Sequence, residues 1–223
     1  MMKLITSLRL KLAFGRLRKL LLKVKNNRFN SDELVEALMY SKGFSLIRPW
    51  QYPEEFLGLL AEYKKLDASC VMEIGTANGG TLFAHCKLAS DNALLISLDL
   101  PDGLFGGGYP EWKIPVYEEF AKSNQSLYLL RADSHLKETE TQIRSILKDR
   151  MLDYLFIDGD HTYEGVKEDF EMYSPLVKKG GMIVFHDIAD HEESSCKVDV
   201  FWNEVKNDYE HIEFVKDKNV GCF

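Results

Sequence analysis

From residue 69 onward, short apolar runs alternate with stretches of helical period. The runs Cys70–Ile74, Leu94–Leu100, Leu127–Ala132, Leu152–Ile157, Met182–Phe185 and Ile212–Val215 have the length and side-chain content of buried strands. Between them, positions 79–89, 114–123, 137–149, 163–177 and 199–209 space apolar residues along one helical face. This alternation predicts a doubly wound α/β domain, a mostly parallel Rossmann-like sheet with helices on both faces. Upstream, Leu10, Leu17 and Val24 recur at heptad spacing with Phe14, Leu20 and Leu21 on the same side, which predicts one basic helix over 3–25. Asn30 with Glu33 forms a capping box for the next helix, and Gly43 is its stop signal. Pro53 suits the first turn of a helix reaching about Lys65. The expected division is an N-terminal helical extension over 1–48 and a ligand-binding domain over 49–223.

Charge adds an asymmetry to this pattern. Nine basic residues and no acid fall in residues 1–28, so a chain of net charge -7 carries -16 over the rest. An acidic body argues against nucleic acid as a partner, because phosphate binding needs concentrated Lys and Arg. Two readings of the basic helix stand: a face lying on an anionic membrane surface, or packing on its own domain or on a second subunit. No uncharged apolar run approaches a membrane span, and the early cations break up any signal-peptide core. The four cysteines, Cys70, Cys86, Cys196 and Cys222, form no CxxC pair and read as reduced thiols. The expected location is cytoplasmic, with membrane association through residues 1–28 as the peripheral alternative.

The first strand ends Glu73-Ile74-Gly75-Thr76-Ala77-Asn78-Gly79-Gly80 and runs into a helix. Glycines there let backbone approach a ligand, and the helix N-terminus offers free N–H groups. Ala77 stands where a dinucleotide fingerprint has its second glycine. Glu73 would repel a pyrophosphate but suits a cationic ligand. The second strand brings Asp99, 24 residues after Gly75, to the position that accepts ribose hydroxyls. A cationic nucleoside such as S-adenosylmethionine fits this pair of acids.

The fourth strand ends Ile157-Asp158-Gly159-Asp160-His161 and the fifth ends His186-Asp187. If these strands are parallel neighbours, their ends lie roughly 5 Å apart and gather acids and imidazoles at the ligand-binding edge. Such a cluster does proton transfer or metal chemistry. His161 is the candidate base, and Asp160 reads as a residue that orients the loop. His85, His191 and His211 show no partner in the sequence and read as ordinary.

Glu73 to Gly80, Asp99 to Tyr109, Asp133-Ser134-His135, Ile157 to Tyr163, and Gly180-Gly181 through His186-Asp187 together resemble the class I S-adenosylmethionine-dependent methyltransferases. They are most similar to the small-molecule O-methyltransferase branch grouped with cephalosporin hydroxylase-like proteins and metal-dependent sugar O-methyltransferases. The resemblance covers about residues 50–220. It implies a seven-stranded sheet with its last strand antiparallel, a strand expected to be short or missing here. It implies cofactor contacts from Glu73, Gly75 and Asp99, with Thr76 and Gly79 in the same turn, and Asp133 and Ser134 beside the adenine. Asp158 belongs both to the cofactor contacts and to the catalytic pair with His161. Asp158 and Asp187 are the implied ligands of Mg2+ or Mn2+, and His186 stands where some relatives carry an acid. An imidazole ligand would shift preference from magnesium toward manganese, iron or zinc. Neighbours on a strand point to opposite faces, so His186 and Asp187 share one ion only if the strand has already turned.

The expected activity is methyl transfer to a hydroxyl of a small molecule or glycan, with a homo-oligomer as a candidate assembly. Two rivals are a nicotinamide-dependent oxidoreductase and a non-catalytic S-adenosylmethionine-binding protein. The glycine-rich segment after Asp99 reads either as a lid or as a plain long connector, and Tyr109 and Trp112 in it are candidates to stack on a sugar or aromatic acceptor.

Overall fold

The computed structural model describes residues 2–103, 108–190 and 195–215. Five strands form one sheet in the order β3-β2-β1-β4-β5: β1 (Cys70–Ile74), β2 (Leu94–Asp99), β3 (Ser126–Arg131), β4 (Leu152–Ile157) and β5 (Val177–Phe185). Every neighbouring pair is parallel. The chain winds outward from β1 to β3, then returns to the other side of β1 for β4 and β5. The β1/β4 boundary is therefore the switch point, where the turns leaving two strands diverge and open a crevice.

The two faces of the sheet bury separate cores. Val71 joins the face covered by α1 (Met2–Lys23), α2 (Ser31–Val35), α3 (Pro53–Lys65), α4 (Gly80–Leu88) and α5 (Ile114–Tyr117). Cys70, Met72 and Ile74, with the opposite parity, join the face covered by α6 (Lys137–Leu147), α7 (Tyr163–Tyr173) and α8 (Val198–Val205). β1, β2 and β4 are buried along their whole length, which is why their sequences read as continuous apolar runs rather than alternations. Each fully buried aliphatic or aromatic side chain stabilises the fold by about 1.5–3 kcal/mol.

α1 packs on its own domain through one stripe: Phe14, Leu17 and Leu21 are buried in the first core, and Phe14 meets Trp112 edge-on at 5.1 Å. Arg18 and Lys25 fix it further through Glu119, at 2.8 and 2.9 Å. Burial alone would raise the Glu119 carboxyl, but Lys25 and Arg18 hold it below its usual range. Asn30 and Glu33 form the capping box expected of them, and the helix then widens to a π-turn over Glu36–Tyr40.

Three expectations change. Ile212–Val215 forms no strand; Phe214 wedges its ring against α3, 2.5 Å from where a Cβ on Gly58 would stand. The last two strands of a seven-stranded sheet are not found among the described residues, and Cys222 and His191 lie outside them. Tyr109 and Trp112 are engaged in the first core. Tyr109 is buried with its ring 4.8 Å from Tyr117, and Trp112 covers Phe14, because both find apolar partners inside the first core. The centre of the expected lid, residues 104–107, lies outside the described residues.

Candidate functional site

The cofactor half of the expected site forms at the switch point. β1 ends level with β2 and β4, pairing Ile74 with Leu98 and with Ile157. The turn that follows needs Gly75. Its φ is +89°, and a Cβ there would lie 1.8 Å from the Asp158 carbonyl oxygen. Gly79, at φ +85°, is the N-cap of α4. Thr76 and Ser97 share a hydroxyl contact of 2.5 Å, which ties the turn to β2. Asp99 Oδ2 accepts the Ala77 and Tyr109 backbone N–H groups at 3.1 and 3.3 Å. Burial raises the Asp99 carboxyl to about 6 against those bonds.

Glu73 is 0% exposed. Its side chain shares the parity of Val71 and meets His85 of α4, where Nδ1 and Oε2 lie 3.1 Å apart without hydrogen-bond alignment. Neither carboxylate oxygen has a hydrogen-bond partner. Burial, followed by the charges of Asp158 and Asp99, pushes this carboxyl well above its usual range. His85 is not the ordinary histidine expected from the sequence. Burial pushes it down to about 3, and it sits in an aromatic cage of Tyr63, Tyr154 and Phe156. Its partner is twelve positions away on another element, and no local signal marks that.

Asp133 and Ser134 leave β3 at the same edge, two strands from β1. Asp133 Oδ1 accepts the His135 N–H at 2.9 Å, and the Ser134 carbonyl accepts the Tyr173 hydroxyl at 2.6 Å. His135 Nε2 lies 3.3 Å from buried Asp169, which raises the imidazole to about 9.

The chemistry half forms one strand over. β5 ends at Phe185, and Asp187 has φ +57°, so the strand has turned and His186 and Asp187 point into one space. His186 Nδ1 lies 3.1 Å from Asp158 Oδ1 and 3.0 Å from Asp187 Oδ1. His161 bridges the two acids, with Nδ1 2.9 Å from Asp187 and Nε2 3.4 Å from Asp158. Burial lowers both imidazoles, but the carboxylates win, raising His161 to about 12 and His186 to about 10. In return His186 and His161 draw Asp158 and Asp187 below their usual range against burial. Asp160 stands aside: its Oδ1 accepts the Thr162 N–H at 2.8 Å and shapes the loop.

The ligand atoms of Asp158, His186 and Asp187 lie within 4.8 Å of one another, close enough to hold one cation. A second set of His161, Asp187 and Cys196 shares Asp187. Cys196 was not legible as a site residue, because it arrives from the segment leading into α8. His186 Nδ1 spends itself on the two carboxylates, while its Nε2 is buried with no hydrogen-bond partner, as a ligand atom awaiting a cation would be. A cavity of about 900 Å³ opens at His186 and Asp187 and runs along β5, between α3 and residues 209–215.

A parallel sheet with a glycine turn, buried acids near the ends of β1 and β2, and a carboxylate–imidazole cluster at the same edge defines a Rossmann-like domain. Residues 72–188 match the family described as "Methyltransferase domain", and the chain belongs to that family. Among curated proteins it is 28% identical over 139 residues to an uncharacterised protein of Sinorhizobium fredii and 34% identical over 141 residues to one of Acanthamoeba polyphaga mimivirus. Each alignment covers 60% of this chain, which spans only 15% and 58% of those two proteins. The fold is that of solved structures at low identity. An O-methyltransferase from Bacillus cereus in complex with SAH is 16% identical, with TM-score 0.50, covering 82% of this chain and 81% of that one. The O-methyltransferase TomG from Streptomyces achromogenes, in complex with SAM, is 16% identical, with TM-score 0.50 and 82% coverage of both chains. Cofactor-bound Rv0187 from MTB is 15% identical, with TM-score 0.51, covering 80% and 76%.

Proposed function

We propose that the chain is an S-adenosylmethionine-dependent O-methyltransferase acting on a hydroxyl of a small molecule or sugar. The observation that carries this reading is Glu73, buried at the switch point with both oxygens unpaired. Burial holds Glu73 neutral while no cation is beside it, and the ammonium of the cofactor's amino-acid tail is the kind of cation that would meet its charged form. That charged form would repel a pyrophosphate, which counts against a nicotinamide cofactor. Gly75, with Thr76 and Gly79, would cradle the tail; Asp99 would accept the ribose hydroxyls; Asp133 and Ser134 would lie beside the adenine. When bound, the cofactor supplies a methyl group on a sulfonium as the electrophile.

The protein must hold the acceptor in line with that methyl group and dispose of its proton. The cavity at His186 and Asp187 is the proposed acceptor pocket. His161 is the proposed base. Between two carboxylates it keeps its proton at neutral pH. A divalent cation held by Asp158, His186 and Asp187 would offset those two charges and bring the imidazole into a working range. The imidazole in that set favours Mn2+ over Mg2+.

The test is calorimetric titration with S-adenosylmethionine, with and without Mn2+ and with NAD as control, followed by transfer of labelled methyl to sugar and phenol acceptors. Micromolar cofactor binding is expected. His161→Ala should keep that binding and lose about 10²–10⁴-fold in transfer. A folded chain that binds no S-adenosylmethionine, or binds NAD in its place, sinks the proposal. The retained proton on His161 also favours a second reading, a cofactor-binding protein without catalysis, in which His161→Ala changes nothing beyond stability.

A further inference from the structure

The helix α1 has two unlike faces. Phe14, Leu17 and Leu21 are buried in the domain, and Arg18 is paired with Glu119. The opposite face presents Lys11, Leu12, Arg16, Lys19, Leu22 and Lys23, all exposed. Its four cations enter no ion pair among the described residues, and Leu12 and Leu22 are 60% and 51% exposed.

We propose that this outer face of α1 docks on an anionic lipid bilayer. Single exposed leucines need no explanation. The apolar stripe of α1 is used up by the domain, so the outer face would meet lipid mainly through its four cations, with Leu12 and Leu22 as the apolar groups that can enter the headgroup region. Residues 1–28 carry nine cations and no acid, while the rest of the chain carries -16. An anionic surface therefore attracts this helix and repels the body behind it, which sets the orientation as well as the contact. A second copy of the chain fits the face badly, because two such faces would bring like charges together. No helix among the described residues is long and apolar enough to cross a membrane, so the contact is peripheral. The helix rests on the segment carrying Tyr117, whose hydroxyl donates to the Ala77 carbonyl of the glycine turn at 3.1 Å, so the bilayer would lie on that flank of the domain. This inference goes beyond methyl transfer and does not depend on it.

The experiment is co-sedimentation of the full chain with vesicles of phosphatidylcholine, and of phosphatidylcholine with phosphatidylserine, at low and high salt. The chain should sediment with the anionic vesicles at low salt and be released by high salt. The variant Arg16→Glu/Lys19→Glu/Lys23→Glu should bind on the order of a hundredfold more weakly. Lys64→Glu/Lys148→Glu/Lys179→Glu makes the same charge change at other exposed positions and should bind as the parent does. Leu12→Ala/Leu22→Ala should lose the binding that survives high salt. Unchanged circular dichroism and thermal midpoints show that each variant is folded. Failure of the parent chain to sediment with phosphatidylserine vesicles overturns the proposal, as does equal loss in both charge-reversal variants. Binding to short duplex DNA without vesicle binding would assign the face to nucleic acid. A dimer dissolved by the α1 reversal, again without vesicle binding, would assign it to a second copy.

Discussion

Replacing Glu73 by Gln should stabilise the ligand-free protein and weaken cofactor binding, and the stabilisation should grow with pH. Glu73 is fully buried, neither oxygen is hydrogen-bonded, and neighbouring His85 is itself neutral because burial pushes it down to about 3. Burial, then the charges of Asp158 and Asp99, raises the Glu73 carboxyl well above its usual range. In the unfolded chain the same group titrates at about 4.3. Because the folded value is the higher, its contribution to stability is fully present below about 4.3 and is lost as pH rises toward the folded value. The loss runs at up to about 1.4 kcal/mol per pH unit, with a ceiling of about 4 kcal/mol at pH 7. Gln has nearly the same volume and no such dependence. Asp99, also raised, adds a slope of the same sign up to about pH 6, but both proteins share it and it cancels in the difference. Urea midpoints of the two proteins at pH 5, 6 and 7 measure that difference. S-adenosylmethionine should bind the variant about 30-fold or more weakly, because the pairing of carboxylate and ammonium is lost. Parallel stability curves, or a variant less stable at every pH, would refute the reasoning.

Gly75→Ala puts a Cβ 1.8 Å from the Asp158 carbonyl at φ +89°, so it should cost about 3 kcal/mol in urea titration and, by displacing Asp158, weaken Mn2+ and cofactor together in calorimetry. Asp153 Oδ2 accepts the Ser69 and Cys70 N–H groups at 2.6 and 2.9 Å, and Lys178 and these bonds hold its carboxyl low against burial. Asp153→Asn should therefore lose about 2 kcal/mol at pH 7, a deficit that vanishes as pH falls through the folded value of the parent. Lys178 is half exposed, so most of that loss belongs to the backbone bonds. Glu119→Ala removes the anchor of Arg18 and Lys25; about 1 kcal/mol is expected, read as faster amide exchange over residues 9–23 with little change elsewhere.

The strands were legible because β1, β2 and β4 are buried apolar runs and β3 is a half-exposed one, all bounded by polar turns, and the observed limits of these four fall within a residue of the pattern. β5 begins at Val177, five residues before its apolar run, because Lys178 to Gly181 continue a bulged pairing that composition does not reveal. Ile212–Val215 has the composition of a strand, but a strand needs a paired edge, and Phe214 finds its burial against Gly58 instead. At the site, Glu73, Asp99, Asp158 and Asp187 were legible because each closes or follows a strand at the switch-point edge. His85, Asp169 and Cys196 were not, since two helices and the segment leading into α8 bring them in from other parts of the chain. The turn that lets His186 and Asp187 face one space was named as a condition, and only the backbone at Asp187 meets it.

The Asp158 carbonyl fills the volume that a side chain at Gly75 would need, so the turns after β1 and β4 interlock like teeth and neither can shift without the other. A ligand gripped by one turn is felt by its neighbour with no intervening relay. Linkage then requires reciprocity: whatever factor a cation adds to the affinity for the nucleoside, the nucleoside returns to the cation. On the proposed function the crevice would act as one device with two occupants, and the order in which they arrived would change the path but not the final grip.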